Sequence, residues 1–262
     1  MVDTIIFVHG WATDSAIWGK TVAALNSARV VNLNLPGHGG RLKWYEPSLR
    51  PAIDEIALYT SGLSDGSIIG VGWSLGAQAL LSMAAIEKKK FKALVLVGAT
   101  PCFLEKDDFP WGQPRALVKK MLIDMKKDAS STLERFHPLN FTEEEAKTEA
   151  AEEFIKRYRF PGPVDCAGEV PGCFPAFDYA GITTALESLY NTDLREILKE
   201  ISVPVLLIHG GKDVVTPIGA SRFLESRMKV ASLTVFEDSG HAPFITEPER
   251  FNRAFKGFLA IL

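Results

Sequence analysis

The chain of 262 residues predicts an α/β protein, a parallel, doubly wound sheet of about six strands carrying a helical insertion. Short runs of Val, Ile and Leu alternate with longer stretches of helical periodicity, the pattern of βα units. Those runs lack a two-residue alternation of apolar and polar residues, as strands covered on both faces do.

In chain order the candidate strands are Thr4–Val8, Val30–Leu35, Ser67–Val71, Ala93–Val97, Val205–Ile208 and Leu233–Phe236. The candidate core helices are Ser15–Asn26, Ala52–Ser61, Leu75–Lys88, Ile218–Met228 and Pro248–Leu259. Right-handed crossovers put such helices on both sides of the sheet. Ligands then bind beyond the carboxyl ends of the strands. Residues 101–200 break the pattern, with helical segments (Pro114–Lys127, Ser130–Phe136, Thr142–Tyr158, Ile182–Asn191) and a Pro/Gly/Cys-rich piece, Pro161–Pro175, but no strand. The expected organisation is a core of residues 1–100 and 201–262, with 101–200 inserted as a helical lid. A separate small domain is the weaker alternative, because this stretch has little apolar surface of its own to spare and the strand pattern resumes at Val205.

Composition narrows the function classes. Apolar residues make up 47% and charged residues 23%, the balance of an ordinary globular protein. The net charge of −3, with no basic stripe, argues against a nucleic-acid partner. No apolar run approaches the roughly 18 to 20 residues that cross a membrane. The first strand starts almost at Met1 without a basic leader or cleavage site, so a cytoplasmic protein with no membrane partner is expected. Cys102, Cys166 and Cys173 are few and odd in number, and reduced thiols are expected, a Cys166–Cys173 pair being the alternative. No histidine pair, carboxylate pair or Gly-x-Gly-x-x-Gly turn is spaced to hold a metal or cofactor, so neither is expected. A monomer is expected.

The segment from Ser67 to Leu81 runs from a buried strand straight into a helix through Gly72-Trp73-Ser74-Leu75-Gly76. A Gly-x-Ser-x-Gly turn in that context is sharp and strained, and pushes the serine hydroxyl out above the sheet. This is the nucleophile turn of the α/β-hydrolase fold, and it makes Ser74 the candidate nucleophile of a serine hydrolase. A serine hydroxyl needs a neighbouring base. Among five histidines, His241 lies after the last strand, where the chain order serine–acid–histidine of this fold puts the base. Asp213, following the strand before that, is the candidate acid, which would orient the imidazole. Glu105, Asp107 and Asp108, after the fourth strand, are the alternatives for the acid, and Asp238 is expected to shape its own loop.

His9-Gly10-Trp11 closes the first strand, and the backbone N–H groups of Trp11 and Leu75 are the candidate oxyanion hole. His9 is expected to organise that loop, His38 and His209 to be turn residues at strand ends, and His137 to lie on the lid surface. Aromatic residues crowd the same rim, and Trp11, Trp73, Phe136 and Phe177 are the candidates for an apolar substrate pocket.

The chain also resembles a particular family. His9-Gly-Trp, Leu35-Pro-Gly, Gly72-Trp-Ser-Leu-Gly, Pro101-Cys-Phe, Thr132-Leu-Glu-Arg-Phe136, Thr192-Asp-Leu-Arg195 and Gly240-His-Ala-Pro-Phe-Ile245 are together similar to the pimeloyl-[acyl-carrier protein] methyl ester esterases of biotin synthesis. The likeness spans nearly the whole chain. It implies a carboxylesterase acting on a pimeloyl methyl ester held by acyl-carrier protein, with Ser74, Asp213 and His241 as triad and Trp11 and Leu75 as oxyanion donors. The leading hairpin usual in the fold is missing ahead of His9, which implies six strands. The resemblance also implies that the acidic carrier docks on lid cations, here Arg135 and Lys147. Ser131 stands one helical turn before Arg135, where a further arginine belongs, and the next helix mixes Lys147, Lys156, Arg157 and Arg159 with six glutamates from Glu143 to Glu153, which also reads as a solvated face. The rival functions are a general short-chain carboxylesterase, thioesterase or lactonase, and, more remotely, a non-catalytic ligand receptor.

Overall fold

The computed structural model describes residues 4–25, 29–41, 43–159 and 178–262. Six strands, β1 (Thr4–Val8), β2 (Arg29–Leu33), β3 (Ile68–Trp73), β4 (Phe91–Val97), β5 (Val205–Gly210) and β6 (Ala231–Phe236), form a sheet in the order β2-β1-β3-β4-β5-β6. Every neighbouring pair is parallel. β1, β3 and β5 are buried along their whole length, whereas the edge strands β2 and β6 are half exposed. The apolar run without alternation therefore marks the centre of the sheet, where helices cover both faces.

Side-chain parity then sorts each strand into two cores. Ile6, Val8, Leu94, Leu96, Val205 and Leu207 enter one, with the helices α2 (Arg50–Thr60), α3 (Leu75–Ile86) and α8 (Gly219–Arg227). Ile5, Phe7, Val71, Trp73, Val95 and Ile208 enter the other, with the short α9 (Pro243–Thr246) and with α10 (Pro248–Leu259), whose Phe251, Phe255 and Phe258 form a stripe at helical spacing. The chain reverses direction across the sheet between β1 and β3, which lie side by side although β2 comes between them in sequence. Such a switch point leaves a crevice beyond the carboxyl ends of the two strands.

Between β4 and β5 the described residues form the helices α4 (Arg115–Lys127), α5 (Ala129–Phe136), α6 (Glu149–Tyr158) and α7 (Tyr179–Asn191), with isolated bridges and no strand. α6 is moored to the core by Asp14: the Tyr158 hydroxyl donates to Asp14 Oδ1 at 2.8 Å, and Arg157 Nη2 to Oδ2 at 3.0 Å. Burial, then the Asp14 charge, pushes the Tyr158 hydroxyl far up, so it remains a donor. Among the described residues no helix is long and apolar enough to cross a membrane.

Two expected helices are interrupted. In place of Ser15–Asn26, Asp14 accepts from Ala16 N and caps a 3₁₀ turn, Ser15–Trp18, before a short α1 (Gly19–Ala23). The break turns Trp18 into the second core, stacked on Phe244 at 4.3 Å. In place of Thr142–Tyr158, a 3₁₀ turn over Glu145–Lys147 ends at Thr148, which is extended (φ −80°, ψ 146°) and whose hydroxyl accepts from Ala151 N to start α6. A threonine hydroxyl that satisfies a free helical N–H favours such a start over continuing one helix.

α3 packs on the sheet through backbone contact, so close that a Cβ on Gly76 would lie 2.5 Å from the Val8 carbonyl oxygen and 2.6 Å from that of His9. We expect Gly76→Ala to lose about 3 kcal/mol through overpacking. Thermal unfolding followed by circular dichroism should then show a fall in Tm of roughly 10 °C, while Gly62→Ala, which has open space around it, should leave Tm nearly unchanged.

Candidate active site

β3 passes into α3 through Ser74, which has φ +53° and ψ −112°, one of two non-glycine residues with positive φ among those described. That conformation costs an L-residue on the order of 1–3 kcal/mol and is held by its surroundings. Ser74 N donates to Val97 O at 2.9 Å, and Gln78 N to Ser74 O at 3.1 Å. Gly72 makes the turn possible, because a Cβ there would lie 2.7 Å from Gly76 O. Ser74 is half buried and opens the helix, and Leu75, the first helical residue, has an N–H without an acceptor inside α3.

The loop after β1 runs beside this turn, since Val8 pairs in register with Gly72. Three imidazoles hold it. His9 Nε2 accepts from Leu35 N at 2.9 Å while its Nδ1 faces Gly10 O at 2.7 Å. His38 Nε2 accepts from Ala12 N at 3.1 Å, and His137 Nε2 lies 3.0 Å from Ala12 O. Ala12 is the second positive-φ residue, at +55°. The bonds of this loop run through Ala12, Thr13, Asp14 and the Trp11 indole, which donates to Ile182 O at 2.7 Å, and among the described residues leave the Trp11 backbone N–H uncommitted. Burial lowers the pKa of His9 and His137 to about 4 and that of His38 to about 3, so all three are neutral at pH 7. His137, expected on the surface, is 1% exposed because its segment folds back over the loop.

On the far side of β4, His241 Nδ1 lies 2.6 Å from Asp213 Oδ2. Asp213 is enclosed by donors: Oδ1 accepts from Val215 N and Thr216 N at 2.8 and 2.9 Å, and Oδ2 faces Thr216 Oγ1 at 2.9 Å. Burial alone would raise the Asp213 pKa; His241 and then His209 pull it the other way and win, leaving the carboxyl well below the usual range. With Nδ1 committed to a carboxylate, Nε2 is the basic nitrogen of His241, and it is buried with no hydrogen bond to a described group. Gly98, at φ +54°, follows the carbonyl that holds Ser74, and a Cβ there would lie 2.7 Å from His241 Cε1. The end of β4 thus carries the serine turn and makes room for the imidazole.

His209, expected as a simple turn residue, is wholly buried at the end of β5. Its Nε2 lies 2.6 Å from Thr216 O and 3.1 Å from Asp213 Oδ2, and its Nδ1 2.7 Å from Ser221 Oγ. His209 was not expected beside the acid, and Thr216 was not singled out in the sequence. An acid followed three residues later by a threonine was the available signal for Thr216, since such a side chain accepts from the backbone ahead of it. The other acids stand apart: Asp108 pairs with Arg195 at 2.7 Å and Asp238 with Lys212 at 2.8 Å, both largely exposed.

A cavity of about 280 Å³ adjoins this site, lined by Phe103, Val118, Met121, Phe136, Val214 and Val215, with Lys120, Asp124 and Arg135 also on its wall. Ser74 is not on its wall; the cavity meets the site through Val215, next to Asp213, and Phe136, edge-on to Trp11 at 4.9 Å. Trp11 is buried behind Phe136. Trp73, expected on the substrate wall, shares parity with Ile69 and Val71 and so enters the opposite core, where its Nε1 donates to His241 O at 2.9 Å. Phe177 lies outside the described residues, as do Phe174, Cys166 and Cys173. Arg135 is 3.9 Å from Asp124 on the cavity wall. Lys147 does not line the cavity; it bonds Glu144 at 2.8 Å, on the rim of an acidic depression formed with Glu143, Asp238 and Glu247. Arg157 and Arg159 are tied to Asp14 and Glu134.

Fold and site together define a hydrolase with a serine turn at the switch point of a parallel sheet. Residues 5–254 match the model of the alpha/beta hydrolase family, and the chain belongs to that family. Within it, the chain is 33% identical over 258 residues to the pimeloyl-[acyl-carrier protein] methyl ester esterase of Nitrosomonas europaea, covering 96% of this chain and 93% of that protein. The protein of the same name from Neisseria meningitidis serogroup B is 28% identical, covering 98% and 93%. Among solved structures, an esterase from Exiguobacterium antarcticum superposes with a TM-score of 0.83 at 23% identity, covering 98% and 92%. An enol-lactonase from Burkholderia xenovorans gives 0.83 at 19%, covering 99% and 92%. These two likenesses establish the fold.

The neutral histidines make the loop acid-sensitive. Their pKa values are depressed in the folded state, so the unfolded chain binds more protons from the ordinary histidine value near 6.5 down to about 4 for His9 and His137 and about 3 for His38. Stability should fall as pH drops through that window. Tm measured from pH 7 to pH 4 checks this, and His137→Gln should flatten the slope; a slope unchanged in that variant would count against a neutral His137.

Proposed function

We propose that the chain is a serine carboxylesterase working through an acyl-enzyme, with Ser74 as nucleophile, His241 as base, Asp213 as its orienting acid and the N–H groups of Trp11 and Leu75 as oxyanion donors. The observation that carries this reading is the state of His241: Nδ1 lies 2.6 Å from a buried, ionised carboxylate, and Nε2 is left as the basic nitrogen.

Ser74 Oγ attacks the ester carbonyl carbon and its proton passes to His241 Nε2. The carbonyl oxygen becomes an oxyanion facing the two N–H groups. The C–O bond to the alcohol then breaks, and His241 returns the proton to the departing alkoxide. Water repeats the sequence on the acyl-enzyme, releasing the acid and restoring Ser74. Asp213 remains ionised throughout and stabilises the imidazolium that forms beside it.

The substrate we propose is the methyl ester of a pimeloyl chain on acyl-carrier protein, in a cytoplasmic enzyme of biotin synthesis. Support comes from relatives of that name along nearly the full chain and from the apolar cavity between α4, α5 and the Asp213 loop. A cavity of about 280 Å³ with an apolar wall suits an acyl chain. The described helices between β4 and β5 act as a lid that supplies much of this wall. Arg135, 64% exposed beside the cavity, is the proposed contact for an acidic carrier, with Lys120 on the same wall. Lys147, paired with Glu144 beside an acidic depression, does not belong to that contact.

We expect Ser74→Ala to remain folded and to lose kcat by about 10⁶; ester hydrolysis retained in the pure variant would sink the assignment. For the carrier, we expect Arg135→Glu to raise KM for the carrier-bound methyl ester by about tenfold, more at low salt, with kcat preserved. An equal effect on p-nitrophenyl acetate would instead favour a general esterase.

A further inference from the structure

The segment from His137 to Glu145 touches both loops of the site. On one side His137 meets the carbonyl of Ala12. On the other, the carbonyl of Asn140 accepts from His241 N at 2.8 Å. Glu145 completes the second contact. Its Oε2 accepts from Gly240 N at 2.7 Å and from Thr142 N at 2.8 Å, and its Oε1 accepts from Thr246 Oγ1 at 2.6 Å. Gly240 is buried and tightly enclosed here, since a Cβ would lie 2.8 Å from Asn140 O and 3.1 Å from Glu145 Oε2.

We propose that Glu145 is a positioning residue for His241. It fixes the backbone of the base from the lid side by binding the loop at Gly240 and Thr246. The backbone of His241 is otherwise held by Asn140 O at its N–H and by the Trp73 indole at its carbonyl. With the peptide anchored before, at and after His241, the imidazole has only its two side-chain torsions left, and Asp213 fixes those. A carboxylate accepting backbone N–H groups makes strong, charge-assisted bonds. Its neighbours Glu143 and Glu144 are exposed, so the acidic run is a solvated face with one member turned inward to the loop.

The inference rests on the esterase reading, and the test separates the two. Glu145→Ala and Glu145→Gln are compared with wild type on p-nitrophenyl butyrate, well below Tm, with active enzyme counted by phosphonate titration. We expect Glu145→Ala to lower kcat by about 10- to 100-fold with KM little changed, because a base displaced by a fraction of an ångström loses its alignment. Glutamine keeps a carbonyl for the two backbone donors and an amide N–H for the Thr246 oxygen. Glu145→Gln should therefore recover to within about threefold of wild type. A fall in Tm without a change in kcat per active site would reduce Glu145 to a structural bond and overturn the proposal. A raised KM with kcat intact, or a glutamine variant as poor as alanine, would overturn it too. If Glu145→Ala does not fold, Thr246→Val removes one bond of the set and should lower kcat by about two- to fivefold at constant KM; an unchanged kcat there overturns it. Activity surviving Ser74→Ala would defeat the esterase reading itself. An inactive Ser74→Ala beside a fully active Glu145→Ala would defeat only the positioning role.

Discussion

The structure turns on one steric constraint, the contact between the start of α3 and the end of β1. The backbone around Gly76 lies so close to the carbonyls of Val8 and His9 that no side chain fits between them. That closeness brings Ser74 to the mouth of the crevice between β1 and β3. It also sets the N–H of Leu75 beside the Gly10–Trp11 loop. The positive φ of Ser74 is a consequence, for a strand cannot enter a helix so abruptly in ordinary torsions. The strain is stored where neighbours are rigid: Val97 holds the serine N–H from β4, and Gly72 removes the side chain that would collide with the turn. Strain of this kind persists only in an over-determined setting.

Electrostatics divides the site into one permanent charge and several enforced neutrals. Asp213 is buried yet ionised, because every oxygen has a donor and two imidazoles face it. A buried carboxylate without such partners would take up a proton instead. The histidines around the loop after β1, the proposed oxyanion loop, are the converse case. At His9 and His38 the backbone partners fix one nitrogen as donor and the other as acceptor, and at all three burial keeps the second proton away. They can thus support the loop without placing positive charge next to a forming oxyanion, where it would alter the hole by an amount the chemistry does not control. His241 is proposed to be the imidazole that charges during turnover, and it is the one facing a carboxylate through Nδ1.

Much of this was legible in the sequence, and the limits are physical. All six strands were readable as apolar runs because parallel strands are covered on both faces. Ser74, His241 and Asp213 were readable because each follows a strand, and the carboxyl edge of the sheet collects such positions. The face on which Trp73 lies was also available, since it is two and four residues from Val71 and Ile69 and must share their side. Adjacency to the serine in sequence was the wrong guide there. Glu145 and His137 were not readable. A glutamate in an acidic run and a histidine in a polar helix end look like surface residues. Nothing local reveals that Asn140 O is aimed at a loop a hundred residues later. Likewise the break at Thr148 depends on a cap that only competes with helix propensity once Glu145 is held elsewhere.

Two of the described segments between β4 and β5 therefore differ in freedom. α4 and α5 line the cavity with Val118, Met121 and Phe136, residues in contact with no element of the proposed triad except through Trp11 and Val215. The stretch from His137 to Glu145 instead bonds the backbone of both loops proposed to carry the chemistry. Substitutions in α4 and α5 can change which acyl group fits while the hydrogen bonds that set Ala12, Gly240 and His241 stay as they are. Changes at His137, Asn140 and Glu145 would disturb them, because the bonds of these three residues reach Ala12, Gly240, Thr246 and His241. Cavity shape and loop alignment thus rest largely on different residues of neighbouring segments, which meet at Phe136 and His137, with Leu139 of the second segment also on the cavity wall.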